Sequence, residues 1–177
     1  NVVSLLDCNK KLNIPIIPSA HGTDWNISHK IVRNGFSNIS SLDSGYYSKG
    51  IYFSSSICYC LPYAAGKRDP CVIISFLVPS HIYPVNQHHL SSNSLMGTAL
   101  KSGYASHFVL VNKDGHIYNG EEIVCDEIVV QQESQILPAF IIKLDPEDTV
   151  REFENWKRKI VNVDESIDNR DVVVEII

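Results

Sequence analysis

The chain has 177 residues, 44% of them hydrophobic and 20% charged, with a net charge of −5 from 15 Lys plus Arg against 20 Asp plus Glu. That length suits a single globular unit burying about two thirds of the surface its unfolded form exposes, with no metal or disulfide scaffold, and a monomer is expected. The acidic balance, with no basic stripe beyond Lys157-Arg158-Lys159, disfavours nucleic acid as a partner, and no apolar run approaches the roughly 18 residues of a membrane span.

Ile14-Pro15-Ile16-Ile17-Pro18-Ser19-Ala20 reads as a short strand, confined to an edge or irregular position by its two prolines, that ends by presenting His21. Thr23 or Asp24 can cap a helix whose inner face is Ile27, Ile31 and Val32. Lys30 and Arg33 suit its last turn, and Gly35 is placed for a left-handed stop. Residues 36 to 48, rich in Ser, Asn and Gly, read as a loop placed as a lid before a strand around Tyr52. Ser55 to Gly66 is expected to be helical, with Pro62 early or at a kink. Cys71-Val72-Ile73-Ile74-Ser75-Phe76-Leu77-Val78 is a continuous apolar run of the kind buried on both faces. His81 to Ser102 reads as a polar, irregular connection, followed by a strand over Tyr104 to Val111 and an Asp-Gly turn at Asn112-Lys113-Asp114-Gly115. Strands over Ile123 to Val130 and Gln135 to Leu144 come next. An amphipathic helix with Val150, Phe153, Trp156, Lys157 and Ile160 and a last strand over Asp171 to Ile177 close the chain. With no alternating strand-helix series, the expected class is α+β with a mainly antiparallel sheet.

Five cysteines, Cys8, Cys58, Cys60, Cys71 and Cys125, are an odd number without scaffold spacing, and no leader is evident, so a cytoplasmic or nuclear setting is expected. The tripeptides Asn26-Ile27-Ser28 and Asn38-Ile39-Ser40 match a glycosylation acceptor pattern that matters only in a secreted protein. The start at Asn1 suggests a module cut from a longer protein. His88-His89 and Cys58-Tyr59-Cys60 lack the spacing of zinc ligands, and no metal is expected.

Three segments far apart in the chain carry one polar residue each among apolar or small neighbours: His21-Gly22-Thr23, Gly50-Ile51-Tyr52-Phe53-Ser54 and Asp126-Glu127-Ile128-Val129-Val130. Burying an unpartnered imidazole, phenol or carboxylate costs about 1–3 kcal/mol or more, a cost that convergence on a shared ligand would remove. The plainer readings are a satisfied core histidine at His21, an exposed strand glutamate at Glu127 and a core aromatic at Tyr63.

The order and wording of these segments, with the Ser48-Lys49-Gly50-Ile51-Tyr52-Phe53-Ser54 signature and Gln135-Ile136-Leu137-Pro138 beginning eight residues after Glu127, resemble the catalytic domain of the poly(ADP-ribose) polymerase-like ADP-ribosyltransferases. The likeness runs from about Ile14 to about Leu144. It implies a catalytic domain over 1–145 and a split, mainly antiparallel sheet with flanking helices around an NAD-binding cleft; the tail, 146–177, lies beyond the likeness and is expected to pack on the same domain, a lead into a neighbouring domain being the alternative. In that family a His-Tyr-Glu triad is spread over three strands in this order, so the resemblance makes His21, Tyr52 and Glu127 the catalytic candidates. Glu127 would stabilise the cation that develops when the C–N bond to nicotinamide breaks, through the ribose 2'-hydroxyl. His21 would bond the adenosine-side ribose. Gly22 would meet the carboxamide through its backbone, with Thr23 in the same binding strand. Tyr52 would stack on the nicotinamide ring, and Tyr63 would offer a second aromatic face. Where the family usually has a serine for the carboxamide, this chain has Cys60, a weaker partner, for which Ser54, Ser55 or Ser56 could substitute. The implied activity uses NAD as co-substrate and transfers ADP-ribose to a protein acceptor with nicotinamide released; a glutamate at the third position permits polymer formation in that family, and transfer of a single unit is expected here. An NAD glycohydrolase and an inactive NAD or ADP-ribose-binding module are the alternatives.

Overall fold

The computed structural model describes residues 15–36, 45–86, 94–118 and 125–158, and the backbone of a strand at 173–176. In chain order the elements are β1 (Ile17–Asp24), α1 (Trp25–Asn34), β2 (Ile51–Phe53), α2 (Ile57–Ala64), β3 (Pro70–Leu77), β4 (Ile82–Val85), β5 (Ser106–Val111), β6 (Cys125–Val130), a 3₁₀ turn (Glu133–Gln135), β7 (Ile136–Lys143), α3 (Pro146–Arg158) and β8 (Val173–Ile176). The fold is α+β. Its two four-stranded sheets run β1-β3-β7-β8 and β2-β6-β5-β4, and every pairing is antiparallel except β4 with β5.

The two non-alternating apolar runs sit inside these sheets. β3 lies between β1 and β7, with Cys71, Val72 and Ile73 fully buried, and β6 lies between β2 and β5, with Val129 and Val130 fully buried. β1, which contains Pro18, takes an edge, where a missing backbone N–H costs no ladder bond. It continues three residues past His21, because all eight of its residues pair in register with β3, from Ile17 opposite Leu77 to Asp24 opposite Pro70. His21 is therefore held within the strand rather than at its end.

α1 starts where Asp24 accepts a bond from the Asn26 N–H at 3.0 Å and stops at Gly35, whose φ of 85° suits a residue without a β-carbon. Of its expected inner face only Ile31 is buried. Val32 is half-buried, and Ile27 is exposed and borders the cleft described below. The irregular connection expected over His81 to Ser102 contains β4, a four-residue edge strand with Pro84, joined in parallel to β5. The expected loop over 36–48 lies mostly outside the described residues, as do Ile123 and Ile160. α3 docks through Trp156, which is buried in one apolar cluster with Tyr59 of α2 and Val129 of β6, while Val150 stays exposed. Burying an indole of that size contributes about 2–3 kcal/mol. Among the described residues no helix is long and apolar enough to cross a membrane.

Strand alternation sorts the second sheet into two faces. Ile51, Phe53, Ile128 and Val130 join Ile73 and Leu77 of the first sheet in one apolar cluster, so Tyr52 and Glu127, one residue out of step, emerge on the other face with Val129. A backbone bridge also joins the sheets, Ala20 opposite Ser54, closed by N–H to carbonyl bonds of 2.7 and 3.1 Å. That bridge sets His21 and Tyr52 beside one another.

Candidate active site

A cleft of about 410 Å³ opens at this junction, and eight of the residues singled out in the sequence border it, His21, Gly22, Thr23, Tyr52, Ser54, Cys60, Tyr63 and Glu127, whereas Ser55 and Ser56, the other offered substitutes for Cys60, are not among its lining residues. The volume is that of a small-molecule site.

His21 is half-buried, its ring edge-on to Phe36 at 5.3 Å and tilted against Phe53 at 5.6 Å. Its Nδ1 lies 2.9 Å from the Tyr52 carbonyl, which can only accept, so Nδ1 carries the proton. Burial pushes the imidazole pKa down, against the smaller opposite pull of that bond. The ring is then neutral, and Nε2 is an acceptor for a ligand hydroxyl.

Tyr52 is fixed at its far end: the phenol donates to the Ser48 carbonyl at 2.6 Å and accepts from the Tyr47 N–H at 2.8 Å. With the hydroxyl tied into the turn, the ring is what the residue can offer a ligand. Tyr63 borders the cleft at 57% exposure, which excludes a plain core role and puts its ring at the cleft wall.

Glu127 is 6% exposed. Its Oε1 accepts from the Tyr59 hydroxyl on α2, and its Oε2 is buried with no partner among the described residues. Burial pushes the carboxyl pKa up to about 7, with the Tyr59 bond pulling it down and the Asp126 charge adding to the rise. A carboxyl so placed changes protonation state near neutrality, and a donor reaching Oε2 would lower its pKa and ionise it.

Gly22 has a packing reason to be glycine. A β-carbon there would lie 2.2 Å from the Cys60 carbonyl oxygen, so the absent side chain lets α2 press against β1 and bring its aromatic face to the cleft. The Cys60 thiol donates to the Ala20 carbonyl at 3.3 Å, and burial pushes its pKa up to about 12. It is therefore an inert thiol and not a nucleophile. Ser54 and Ser55 both donate to the Asp126 carboxylate, at 3.1 and 2.5 Å, and the Ser55 N–H adds a third bond at 2.7 Å. This clamp fastens the end of β2 to β6. Thr23 is buried at the cleft wall beyond Gly22.

Sequence reasoning missed three side chains that build the site. Tyr59 holds Glu127, Asp126 ties the two strands together, and Tyr47, fully buried, donates to the Gly115 carbonyl at 2.7 Å. Tyr59 could have been found from its spacing, since residues four apart on a helix share a face and Tyr63 was already singled out. No comparable sequence signal marks Asp126 or Tyr47.

No protein-family model matches the chain, and no curated protein matches it.

Proposed function

We propose that this protein is an NAD-dependent ADP-ribosyltransferase, which breaks the bond between nicotinamide and its ribose and moves ADP-ribose to a protein acceptor as a single unit. One observation carries the reading: an imidazole, a phenol ring and a buried carboxylate with one oxygen unpaired among the described residues, from three separate strands, border the same cleft in the order the resembled family uses.

The chemistry follows from each group. Neutral His21, with its proton committed to Tyr52, accepts a ribose hydroxyl at Nε2. Tyr52 and Tyr63 supply aromatic faces for the nicotinamide ring, the first held by Ser48 and Tyr47. Glu127 takes the 2'-hydroxyl of the reacting ribose at Oε2. As positive charge grows at the anomeric carbon, the carboxylate stabilises it in a water-poor site where electrostatics are strong. The four described cysteines are unpaired, which supports the cytoplasm or nucleus as its setting.

Incubation with labelled NAD and a cell lysate tests the reading. Label on protein together with free nicotinamide is the expected result. Free ADP-ribose without labelled protein would make the protein a glycohydrolase, and intact NAD would remove the enzymatic reading altogether.

A further inference from the structure

Glu127 is held by a residue the resemblance did not supply. Tyr59 lies on α2, facing β6, with its phenol buried and its ring edge-on to Trp156 at 6.2 Å. Its position has several independent supports. The Ser56 hydroxyl caps the helix at the Tyr59 N–H, Gly22 allows α2 to seat closely, and Trp156 of α3 backs the ring. On the far side, a β-carbon on Gly115 would come within 2.9 Å of the Tyr59 hydroxyl, so the turn after β5 also closes on this oxygen. The phenol is thus fixed before any ligand enters, and it takes one carboxylate oxygen while the other is left unpaired among the described residues.

We propose that Tyr59 is a positioning residue that anchors Oε1 of Glu127, so that Oε2 alone is presented to the 2'-hydroxyl of the reacting ribose. The proposal rests on the NAD reading of the cleft. A carboxylate free to rotate would offer either oxygen in many orientations, and the anchor removes that freedom before the substrate binds. The bond also favours the ionised form, which is the form that stabilises a cation, against the burial that opposes it.

The groups around Glu127 agree with this division. Tyr59 and Tyr63 come from α2, Tyr47 from the turn before β2, and Asp126 from β6 itself, while His21 and Lys67 border the same cleft. On β5 the nearby titratable group is His107, which burial keeps neutral and which is bound to the Tyr47 carbonyl and the Lys101 N–H. Of these groups it is Tyr59 that donates a hydrogen bond to Glu127.

The test is Tyr59→Phe, which removes one oxygen and keeps the ring against Trp156. Nicotinamide release is followed from pH 5.5 to 9 in both proteins, with the Glu127 carboxyl titrated in parallel by carbon NMR. In the variant the acid limb of kcat should move to higher pH, kcat at pH 7 should fall about tenfold, and KM for NAD should change much less. The carboxyl resonance should titrate at higher pH as well. Superimposable pH profiles, or an equal loss at every pH with an unshifted carboxyl, would overturn the proposal while leaving the NAD reading standing. A wild-type protein that neither binds nor cleaves NAD would overturn both.

Discussion

The two titratable ends of the cleft are built on opposite plans. His21 rests on Phe36 and Phe53, and its hydrogen bond to the Tyr52 carbonyl fixes the tautomer. Glu127 rests against phenols, one of which bonds it directly, and its second oxygen has no partner among the described residues. Burial opposes charge at both, so it lowers the pKa of the imidazole and raises that of the carboxyl. For His21 this yields a settled neutral acceptor. For Glu127 it yields a group poised near neutrality, whose charge depends on what meets its second oxygen. The difference separates holding a ligand from acting on it: the first end needs a fixed hydrogen bond, the second a charge that is available when a cation forms.

The comparison breaks first at Glu127. Glu127→Gln keeps the shape and an acceptor for Tyr59 but removes the charge, and should lower the rate of nicotinamide release by about 10²–10³-fold with little change in NAD affinity. Unchanged turnover would remove the role given to this carboxylate.

A second effect is read in stability. The Glu127 carboxyl has a folded pKa of about 7 against an ordinary 4.5. Its favourable contribution is therefore complete below about 4.5 and is lost as pH rises through about 7. Unfolding of the wild type and of Glu127→Gln, measured at pH 5 and pH 8, should show the variant gaining relative stability at the higher pH, by about 2–3 kcal/mol. His21 runs the other way: its folded pKa lies below the ordinary 6.5, so stability it supports is lost as pH falls below that value. A pH-independent difference between the two proteins would contradict the buried, poised carboxyl.

The smallest effect is at the holding end. His21→Ala removes one acceptor and should weaken NAD binding by about tenfold, while turnover of saturated enzyme changes less. An effect on the maximal rate as large as that of Glu127→Gln would erase the distinction between the two ends.

Much of this architecture could be read in the residues because it depends on local pattern. The unbroken apolar run from Cys71 announced a strand covered on both faces, and Asp24 and Gly35 marked the bounds of α1. The three segments carrying His21, Tyr52 and Glu127 stood out likewise, each a polar residue among apolar or small neighbours. What escaped depends on how distant elements seat on one another. β4 is four residues long, includes a proline and gains its order only from pairing with β5, so its own sequence carried little signal. Tyr59 looks like any aromatic on a short helix until Gly22 lets that helix close on β1, which sets the distance from α2 to β6. Asp126 reads as a polar strand residue, and its partners Ser54 and Ser55 are more than seventy positions away. The three-strand constellation was legible, and the side chains that hold it in place were not.

The most direct test of the central claim, one dinucleotide gripped by three strands, is calorimetric titration of NAD into Glu127→Gln, where binding is separated from turnover. We predict saturable binding at one site that weakens by about tenfold when either His21→Ala or Tyr52→Ala is added. Absence of NAD binding, or binding indifferent to both added substitutions, would contradict it.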